Sequence, residues 1–416
     1  MIVGLDIGTT KVCAVIGERS EQGILEITGV GVCPSTGLRK GVVVNIEATL
    51  KAVATAIEAA EMMSGREVSD CWTGIGGSHI DGFNSRGVVA ITGKKRETRE
   101  IGPEDIARVI EAARAVVIPM DRQILEVIPQ TYIVDDQKGI RDPLDMIGVR
   151  LESEVHIITC SVTSAQNLIK CVNRAGFKVN NLILQSLAAG RSILTPEEKD
   201  LGVVLIDLGG GTTDVLVYTD GAPYSTSTIP AGGTQVTNDI SIIKNISFEA
   251  AEKIKLDACC WEPLLENDGE VIVPGVGGRG PLSIPRSQLL KIIRPRMEEI
   301  FKIVKEKLDK LNLSRPLGAG VALTGGGAQL SGVEELASSI LKLPARVRKP
   351  IPAPGLSGLV EEYCNPAYAT AVGLVLEGND RESRADPERG AEGRQADKGQ
   401  AALFGKLRKW LKDEFF

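Results

Sequence analysis

Short apolar runs separated by glycine, proline and charged residues follow one another along most of this chain, a pattern typical of an α/β protein. Apolar runs at residues 2–5 and 203–206 predict two strands about half a chain apart. Residues 46–63 carry apolar side chains at helical spacing, which predicts a long helix. Pro103, followed by two acidic residues, predicts the start of another helix.

The same alternation continues through the rest of the chain. We predict strands at 88–92, 155–161 and 178–184 and helices at 165–174 and 186–194. A long helix at 287–311 contains Pro295, so we expect a kink or a break there. Residues 261–285 predict a small hairpin or an irregular arm, and residues 365–373 predict a closing helix of small, tightly packing residues.

One motif occurs twice, each time directly after a predicted strand. Its copies are Asp6-Ile7-Gly8-Thr9-Thr10 and Asp207-Leu208-Gly209-Gly210-Gly211-Thr212-Thr213-Asp214. The glycines let backbone N–H groups converge on an anion, the threonines add hydroxyl donors, and the acid can hold water on a Mg²⁺ ion. Each copy alone also fits an ordinary turn after a strand. The pair predicts two phosphate-holding hairpins that grip one nucleoside triphosphate from two lobes.

A third glycine cluster, Thr324-Gly325-Gly326-Gly327-Ala328, follows another predicted strand. Bare backbone there would fit flat against a purine, and it would equally fit a tight strand-to-helix turn. Two acidic hairpins followed by a glycine platform is the order found in the actin, heat-shock chaperone and sugar-kinase ATPase superfamily. The chain resembles that superfamily over residues 1–376, which implies a two-lobed, actin-like α/β fold.

Composition narrows the class of protein. The chain has 416 residues, too many for one compact core, and its net charge of −6 gives no reason to expect nucleic-acid binding. Its 8 cysteines lack C-x-x-C spacing and are accompanied by only 2 histidines, as is typical of buried thiols in a reducing cytosol. Asp6 interrupts the first apolar run, so a signal peptide is not expected. No window approaches the roughly 20 apolar residues of a membrane span. We therefore expect a cytosolic protein whose membrane contact is peripheral.

The C-terminal region changes character sharply. Residues 379–398 carry no large apolar side chain and predict a flexible tether. An amphipathic helix is predicted after it, with the apolar residues Leu403, Phe404, Leu407, Trp410, Leu411 and Phe415 and the basic residues Lys406, Arg408 and Lys409. This helix would dock into a protein groove or lie in a membrane interface, and aromatic beside basic residues favour the membrane. One tail should bind weakly, so stable attachment would need several tails side by side.

Together these features resemble the FtsA family of actin-like bacterial cell-division proteins. The local runs that carry the resemblance are Gly77-Ser78-His79-Ile80, Asn84-Ser85-Arg86-Gly87, Gly148-Val149-Arg150-Leu151-Glu152 and residues 294–301. The resemblance covers the whole chain. It implies that ATP lies between the lobes, that protomers form filaments, and that the terminal helix tethers the division protein FtsZ to the cytoplasmic face of the inner membrane at the septum. Other division proteins would bind through residues 84–162.

The resemblance also implies the residues of the nucleotide site. Phosphates and Mg²⁺ would be held by Asp6, Gly8, Thr9, Thr10 and Lys11 from the first lobe and by Asp207, Gly209, Gly210, Gly211, Thr212 and Thr213 from the second. Glu252 and Lys255 would reach the ribose and adenine unless they belong to a solvated helix face, and Gly326, Gly327 and Ala328 would back the base. Gln185 would orient the attacking water. Because a neutral amide is a poor proton acceptor, ATP hydrolysis should be slow at most, and a metabolic enzyme is not expected.

The FtsZ tail, a short apolar and partly acidic peptide, would bind residues 235–310 in this family. Lys291, Arg294 and Arg296 would suit such a peptide, although charges of this kind more often form a solvated helix face. The predicted division of the chain is a first-lobe core at 1–83 and 163–195, an inserted interaction subdomain at 84–162, a second-lobe core at 196–234 and 311–377, an accessory subdomain at 235–310, a disordered tether at 378–400 and an amphipathic helix at 401–416.

Other members of the superfamily are the alternatives. A sugar kinase would need a substrate pocket with a general base, which residues 80–162 do not offer. A chaperone would need a peptide-binding domain after residue 376, where only the tether and tail follow. The cell-shape protein MreB lacks the insertion. The type IV pilus assembly protein PilM has a similar insertion but is not expected to carry a lipid-facing tail, and it is the nearest alternative.

Overall fold

A six-stranded sheet forms the core of the first lobe. The computed structural model describes residues 1–20, 24–91, 99–265, 269–273, 280–313, 315–350, 356–358 and 363–385. The first elements along the chain are β1 (Ile2–Ile7), β2 (Lys11–Arg19), β3 (Leu25–Pro34), β4 (Leu38–Arg39), β5 (Val42–Val43), α1 (Ile46–Ser64) and β6 (Asp70–Ile75). Strands β1, β2 and β3 pair antiparallel, and β6 joins β1 in parallel. β1 is buried along its whole length, as expected for a strand covered on both faces.

Helix α1 confirms the helix predicted at 46–63, and local chemistry determines both of its ends. The side-chain oxygen of Asn45 accepts a hydrogen bond from the backbone N–H of Ala48 at 3.1 Å, and Gly65 ends the helix with a left-handed φ of +68°. A Cβ added at Gly31 of β3 would lie 1.9 Å from the carbonyl oxygen of Ala56. The missing side chain therefore lets α1 pack directly on the sheet.

An inserted module (residues 81–161) follows the first part of this lobe. Its elements are β7 (Asp81–Ala90), β8 (Arg99–Glu100), α2 (Pro103–Arg114), β9 (Arg122–Val134), β10 (Gln137–Ile140), β11 (Ile147–Gly148) and β12 (Arg150–Ser161). Four strands form a sheet in the order β10-β9-β12-β7, on which α2 packs. The helix start predicted at Pro103 is confirmed. The predicted boundary at residue 84 falls inside β7, and the strand predicted at 88–92 overlaps only the end of β7.

The chain then returns to the first lobe with α3 (Val162–Arg174), β13 (Lys178–Leu184) and α4 (Gln185–Ile193). These bounds agree closely with the predicted elements at 165–174, 178–184 and 186–194. β13 pairs with β6 in parallel and lies at the edge of the first sheet. Because β13 ends at Leu184, α4 begins beside the end of β1, where the first hairpin turns.

The second lobe repeats the strand order of the first. Its elements are α5 (Pro196–Leu201), β14 (Val203–Leu208), β15 (Thr213–Thr219), β16 (Ala222–Ile229), α6 (Gly233–Lys244), α7 (Phe248–Leu256), β17 (Glu270–Val273), β18 (Leu282–Pro285), α8 (Arg286–Asp309), β19 (Val321–Thr324), α9 (Val333–Leu341) and β20 (Ala345–Val347). The second sheet has the order β16-β15-β14-β19-β20, and the first has β3-β2-β1-β6-β13 in equivalent places. The duplicated hairpins are therefore the same part of a duplicated sheet.

Helix α8 runs without a break through Pro295, so of the kink or break predicted at that residue the break does not occur. Pro295 lies on the exposed side of the helix. Ile293 and Met297, one turn apart on either side of it, are both buried in the core of the second lobe. Packing of this buried face compensates for the backbone hydrogen bond that proline cannot donate. Within the region predicted at 261–285 as a small hairpin or an irregular arm, β17 and β18 pair antiparallel.

The last elements are β21 (Leu356–Ser357), which joins β3, and α10 (Ala369–Ala385), which packs against α4 and β1. Residues 378–385 belong to α10, so the first part of the predicted tether is helical. Asp380 pairs with Arg191 at 2.7 Å, and buried Arg381 pairs with Glu126 of the inserted module at 3.0 Å. Ion pairs with distant residues, which composition does not reveal, stabilise these last turns.

Candidate nucleotide-binding site

The two glycine hairpins have the same turn geometry and face each other. A Cβ added at Gly8 would lie 2.9 Å from the carbonyl oxygen of Lys11, and one added at Gly209 would lie 2.9 Å from that of Thr212. A Cβ at Gly210 would lie 2.4 Å from Cγ2 of Thr10. The bare backbone of the second hairpin thus approaches the threonines of the first, as the duplicated motif predicts.

Three acids lie between the hairpins. Asp6 and Asp214 are buried, and Asp207 is half-buried. Burial, together with repulsion from Asp214 and Asp6, raises the pKa of Asp207 to about 7. Burial also raises the pKa of Asp6, although Lys11 and the hydrogen bond from Gln185 act in the opposite direction. The structure thus concentrates negative charge in a place that a cation would relieve.

Asp214 is a site residue that the sequence argument did not select. It lies directly opposite Asp207 in the pairing of β14 with β15, whereas Cys13 occupies the equivalent place opposite Asp6. Burial raises the pKa of Asp214 to about 6, even though the hydroxyls of Thr228 and Thr212 donate to it at 2.5 and 3.3 Å. Its place at the end of the quoted motif is the sequence signal that could have found it.

Gln185, the first residue of α4, points into the same space. Its side-chain Nε2 donates a hydrogen bond to Oδ1 of Asp6 at 2.7 Å. A Cβ added at Gly76 would lie 2.0 Å from Oε1 of Gln185, so glycine there makes room for the amide. Because Nε2 is used by Asp6, Oε1 is the atom that would accept a hydrogen bond from water.

Lys11 contacts the closing segment of the chain. Its Nζ donates to the carbonyl oxygen of Ala367 at 2.5 Å and lies 3.9 Å from the ring centre of Tyr368. The same segment approaches the second hairpin, because the hydroxyl of Thr370 donates to Oδ2 of Asp207 at 3.2 Å. The start of α10 and the residues just before it therefore touch both hairpins.

The third glycine cluster lies against the second hairpin. Gly325 has a φ of +85°, and a Cβ added there would lie 2.2 Å from Oδ1 of Asp207. Among the described residues, no atom lies within 4 Å of a Cβ added at Gly326. The side chain of Ala328 is buried in the core of the second lobe, so the prediction that this residue backs the base concerns its backbone. Only its backbone remains to back a base, whereas the face of Gly326 is open.

Glu252 and Lys255 on α7 lie together beside the start of α6. The Nζ of Lys255 contacts both carboxylate oxygens of Glu252, at 2.8 and 2.7 Å, and the hydroxyl of Thr237 at 3.0 Å. The Lys255 side chain is only 12% exposed, which does not fit a solvated helix face, whereas that of Glu252 is 42% exposed. The backbone N–H groups of Gly233 and Thr234, at the start of α6, donate to the carbonyls of Gly209 and Gly210. The start of α6 therefore joins the Glu252–Lys255 pair to the second hairpin.

The carboxylates of Asp6, Asp207 and Asp214 are the candidates for holding the predicted Mg²⁺ ion. Among the described residues, no three acidic, histidine or cysteine side chains come together as a metal cluster. Mg²⁺ usually keeps several waters and binds through one or two carboxylates and substrate phosphates. The buried Asp6 and the half-buried Asp207 fit that mode, in which they would hold the ion through water.

The charged site predicts how stability depends on pH without nucleotide. Because the folded-state pKa of Asp207 is raised from 3.8 to about 7, its stabilising contribution is complete below about pH 4 and is lost as the pH rises through 7. Asp207→Asn removes that loss. The free energy of unfolding of Asp207→Asn, minus that of wild type, should increase by on the order of 2 kcal/mol between about pH 5 and pH 8. Urea unfolding measures this, with the exposed Asp121→Asn as control; an advantage independent of pH would contradict it.

Two family models match the chain: "Cell division protein FtsA" over residues 204–373 and "SHS2 domain inserted in FTSA" over residues 77–159. The chain is 42% identical over 417 residues to Cell division protein FtsA of Pseudomonas aeruginosa, covering 100% of this chain and 98% of that protein. The chain belongs to the FtsA family. It is also 47% identical over 378 residues to the FtsA of Borreliella burgdorferi, covering 90% of each chain.

Solved structures place this FtsA-family chain in the actin-like fold. The PilM-PilN type IV pilus biogenesis complex superposes with a TM-score of 0.65 at 17% identity, covering 91% of this chain and 98% of that one. MreB5 of Spiroplasma citri bound to ADP superposes with a TM-score of 0.53 at 14% identity, covering 94% and 98%. These likenesses concern the fold, and they confirm the predicted two-lobed class with its inserted α+β module.

The bases predicted to bind a partner do not form one patch in this FtsA-family structure. Lys291 and Arg294 line a groove of about 340 Å³ beside α8, the α8 groove, together with Glu262, Leu265, Ser287, Leu290, Pro295 and Glu298. The guanidinium of Arg294 also lies 5.7 Å from the ring centre of Trp261. Arg296 lies outside this groove and pairs with Asp239 of α6 at 2.7 Å. Arg296 therefore has an intramolecular role, and Arg294, within the groove, also pairs with Glu298 at 2.8 Å.

The predicted tail lies outside the described residues, and so does the tether from residue 386 onward. Within the part of the chain that the structure covers, no helix is both long enough and apolar enough to cross a bilayer.

Proposed function

We propose that this FtsA-family protein binds ATP with Mg²⁺ between its two lobes, polymerises on the inner face of the cytoplasmic membrane, and anchors FtsZ at the division site. The observation that carries the nucleotide part is the close approach of the two hairpins around Asp6, Asp207 and Asp214. Backbone N–H groups of the hairpin glycines, the hydroxyls of Thr9 and Thr10 and a cation held by water would match a triphosphate. MreB5, which shares the fold, was solved with ADP.

The position of Gln185 favours slow hydrolysis. Its amide is oriented by Asp6, which leaves Oε1 to align a water molecule. An amide oxygen accepts a hydrogen bond but does not take up a proton at neutral pH, so it would position water without acting as a general base. The nucleotide would then control assembly more than it would be turned over, which suits a structural division protein.

Attachment to the membrane would depend on the amphipathic tail. Deleting residues 401–416 should remove sedimentation with anionic lipid vesicles in the presence of ATP, because the apolar face supplies most of the binding. Leu407→Glu places a charge in that face and should reduce the bound fraction about tenfold or more. Lys412→Gln, on the polar face, is the matched control. Sedimentation measured with and without ATP also reports whether assembly is required, since a single tail binds weakly.

A deletion variant that still sediments with vesicles would remove the tail from the proposal. A full-length protein that does not sediment with vesicles would instead favour a scaffold of the PilM kind, for which no lipid-facing tail is expected. The PilM likeness at 17% identity concerns the fold alone, whereas relatives named FtsA match at 38–47% identity over nearly the whole chain. PilM-like pilus assembly therefore remains an alternative only if the full-length protein does not sediment with vesicles.

The α8 groove is the surface we propose for the FtsZ tail. It places the exposed amine of Lys291 beside apolar Leu290, which suits a short apolar and partly acidic peptide, whereas Arg294 pairs with Glu298 inside the groove at 2.8 Å. Lys291→Glu should weaken binding of a synthetic FtsZ C-terminal peptide about tenfold, because an attractive charge becomes repulsive. Lys310→Glu makes the same change at an exposed lysine just after the far end of α8. It should leave the affinity for the peptide, measured by fluorescence anisotropy, unchanged. Equal effects of the two variants would place the peptide elsewhere.

A further inference from the structure

The inserted module contacts the second lobe as well as the lobe from which it emerges. Its strands β7, β9 and β12 lie against β16, which is the edge strand of the second sheet. The side-chain Nε2 of Gln130 on β9 donates to the carbonyl oxygen of Pro223 on β16 at 2.8 Å. Because the module is joined covalently to the first lobe at both ends, this contact spans the two lobes outside the nucleotide cleft.

His156 is the buried centre of this contact. One ring nitrogen, Nδ1, lies 2.6 Å from Oδ1 of Asn84 in the module, and the other, Nε2, lies 2.9 Å from Oγ1 of Thr226 on β16. His156 is 1% exposed and Thr226 is 5% exposed. A Cβ added at Gly82 of β7 would lie 2.8 Å from Nε2 of His156 and 3.1 Å from Cβ of Thr226. Glycine at position 82 thus allows the ring and the hydroxyl to meet.

The same face of β16 reaches the nucleotide site two residues later. Successive side chains of a strand alternate between its faces, so Thr226 and Thr228 point to the same side. The hydroxyl of Thr228 donates to Oδ1 of Asp214 at 2.5 Å, and these residues are direct partners in the pairing of β15 with β16. One strand therefore connects His156 of the module with a buried acid of the proposed ATP site.

We propose that β16 couples the nucleotide site to the inserted module, with Thr228 positioning Asp214 at one end and Thr226 holding His156 at the other. This inference rests on the proposed ATP site. Among the strands that the structure describes, the edge strand β16 is hydrogen-bonded only to β15, and their register shifts between Val217 and Tyr218. Such a strand can move without the sheet being broken. Phosphates and a cation in the cleft change the surroundings of Asp214, and the displacement of Thr228 moves Thr226 with it.

The coupling has to act in both directions. A ligand that binds more tightly to one arrangement of β16 shifts its population, and an effect of nucleotide on the module implies an equal effect of the module on nucleotide affinity. A division protein that binds the module would thus change the affinity for ATP without touching the cleft. Residues Thr226 and Thr228 carry this effect by direct contact.

Hydrogen–deuterium exchange of the full-length protein, with and without ATP and Mg²⁺, tests the coupling. In wild type, ATP should alter exchange in peptides from β7, β12 and β16 as well as in the two hairpins. Thr226→Val keeps the shape of the side chain but removes the hydroxyl, and Gly82→Ala inserts a methyl group between the module and β16. In both variants the ATP response of β7 and β12 should disappear, while the hairpins still respond.

Thr228→Val tests the other end. It should change the Kd for ATP about fivefold or more, within the usual range of coupling between sites, and Thr228→Ser should restore the wild-type value because it restores the hydroxyl. Ser227→Ala is the matched control, since Ser227 lies between the two threonines on the opposite face of β16. Thermal unfolding midpoints near that of wild type show that each variant is folded.

The possible results separate this inference from the proposed function. If wild type binds ATP and the module still responds to ATP in Thr226→Val and Gly82→Ala, the coupling through β16 is overturned while the nucleotide site stands. If Thr228→Ser does not restore the affinity lost in Thr228→Val, the positioning role of Thr228 is overturned. If wild type does not bind ATP at all, the proposed function fails, and this inference fails with it.

Discussion

Gly210→Val is expected to abolish useful nucleotide binding, raising the Kd for ATP by about a hundredfold or more. The added Cβ would lie 2.4 Å from Cγ2 and 2.9 Å from Oγ1 of Thr10. Either the hairpins must separate or Thr10 must leave its place. Both changes remove donors from the phosphates, and the loss of two hydrogen bonds to a charged group costs about 3 kcal/mol or more.

Titration calorimetry with ATP and Mg²⁺ measures this effect. Gly280→Val is the matched control, because among the described residues no atom lies within 4 Å of a Cβ added at Gly280. The control should bind ATP as wild type does. A Gly210→Val variant with wild-type affinity would show that the facing hairpins do not hold the nucleotide, and it would remove the main support for the proposed function.

Gly373→Val is expected to give the largest loss of stability. Gly373 lies on α10, where a Cβ would be 1.7 Å from the carbonyl oxygen of Ala188 on α4 and 2.3 Å from its carbonyl carbon. The obstacle is helix backbone, which cannot rotate away as a side chain does. The two helices must separate, and overpacking of this kind costs about 3 kcal/mol or more. Gly373→Ala should show a smaller loss, partly offset by the better helix propensity of alanine, about 1 kcal/mol.

Urea unfolding of the series Gly373→Ala and Gly373→Val measures the loss as a shift of the midpoint. Gly280→Val again serves as the control for the chemical change alone. The contact matters because α4 carries Gln185 and α10 carries Thr370, so both helices begin at the nucleotide site. If the valine variant unfolds at the wild-type midpoint, α4 and α10 do not pack as closely as described.

Several parts of the molecule could be predicted because short-range chemistry determines them. Residues 46–63 form a helix because apolar side chains recur at its period and Asn45 and Gly65 cap it. Pro103 starts α2, and strand β13 has the predicted bounds. The two acidic glycine turns follow their strands as expected. Their order along the chain, with the third glycine cluster, was enough to predict the actin-like class, and the local runs were enough to predict the FtsA family.

Other features depend on residues far apart in the chain. Asp214 appeared to be an ordinary end of a motif until strand pairing placed it opposite Asp207. The sequence argument assigned Ala328 to the base platform, and only packing shows that its side chain is buried in the core of the second lobe. Arg296 was grouped with Lys291 and Arg294, but a helix turns by about 100° per residue and Asp239 of α6 lies on its side. Residues 378–385 resembled a tether because their ion-pair partners, such as Arg191, are remote in sequence.

The sequence by itself therefore determined the turns, the main helices and the duplicated phosphate motif, since each depends on neighbours a few residues away. Only the tertiary structure decided which of these pieces meet. The contacts of Asp6 with Gln185, Lys11 with Ala367 and His156 with Thr226 join segments about 70 to 360 residues apart. Such contacts are formed by the packing of whole lobes, and no local pattern specifies them.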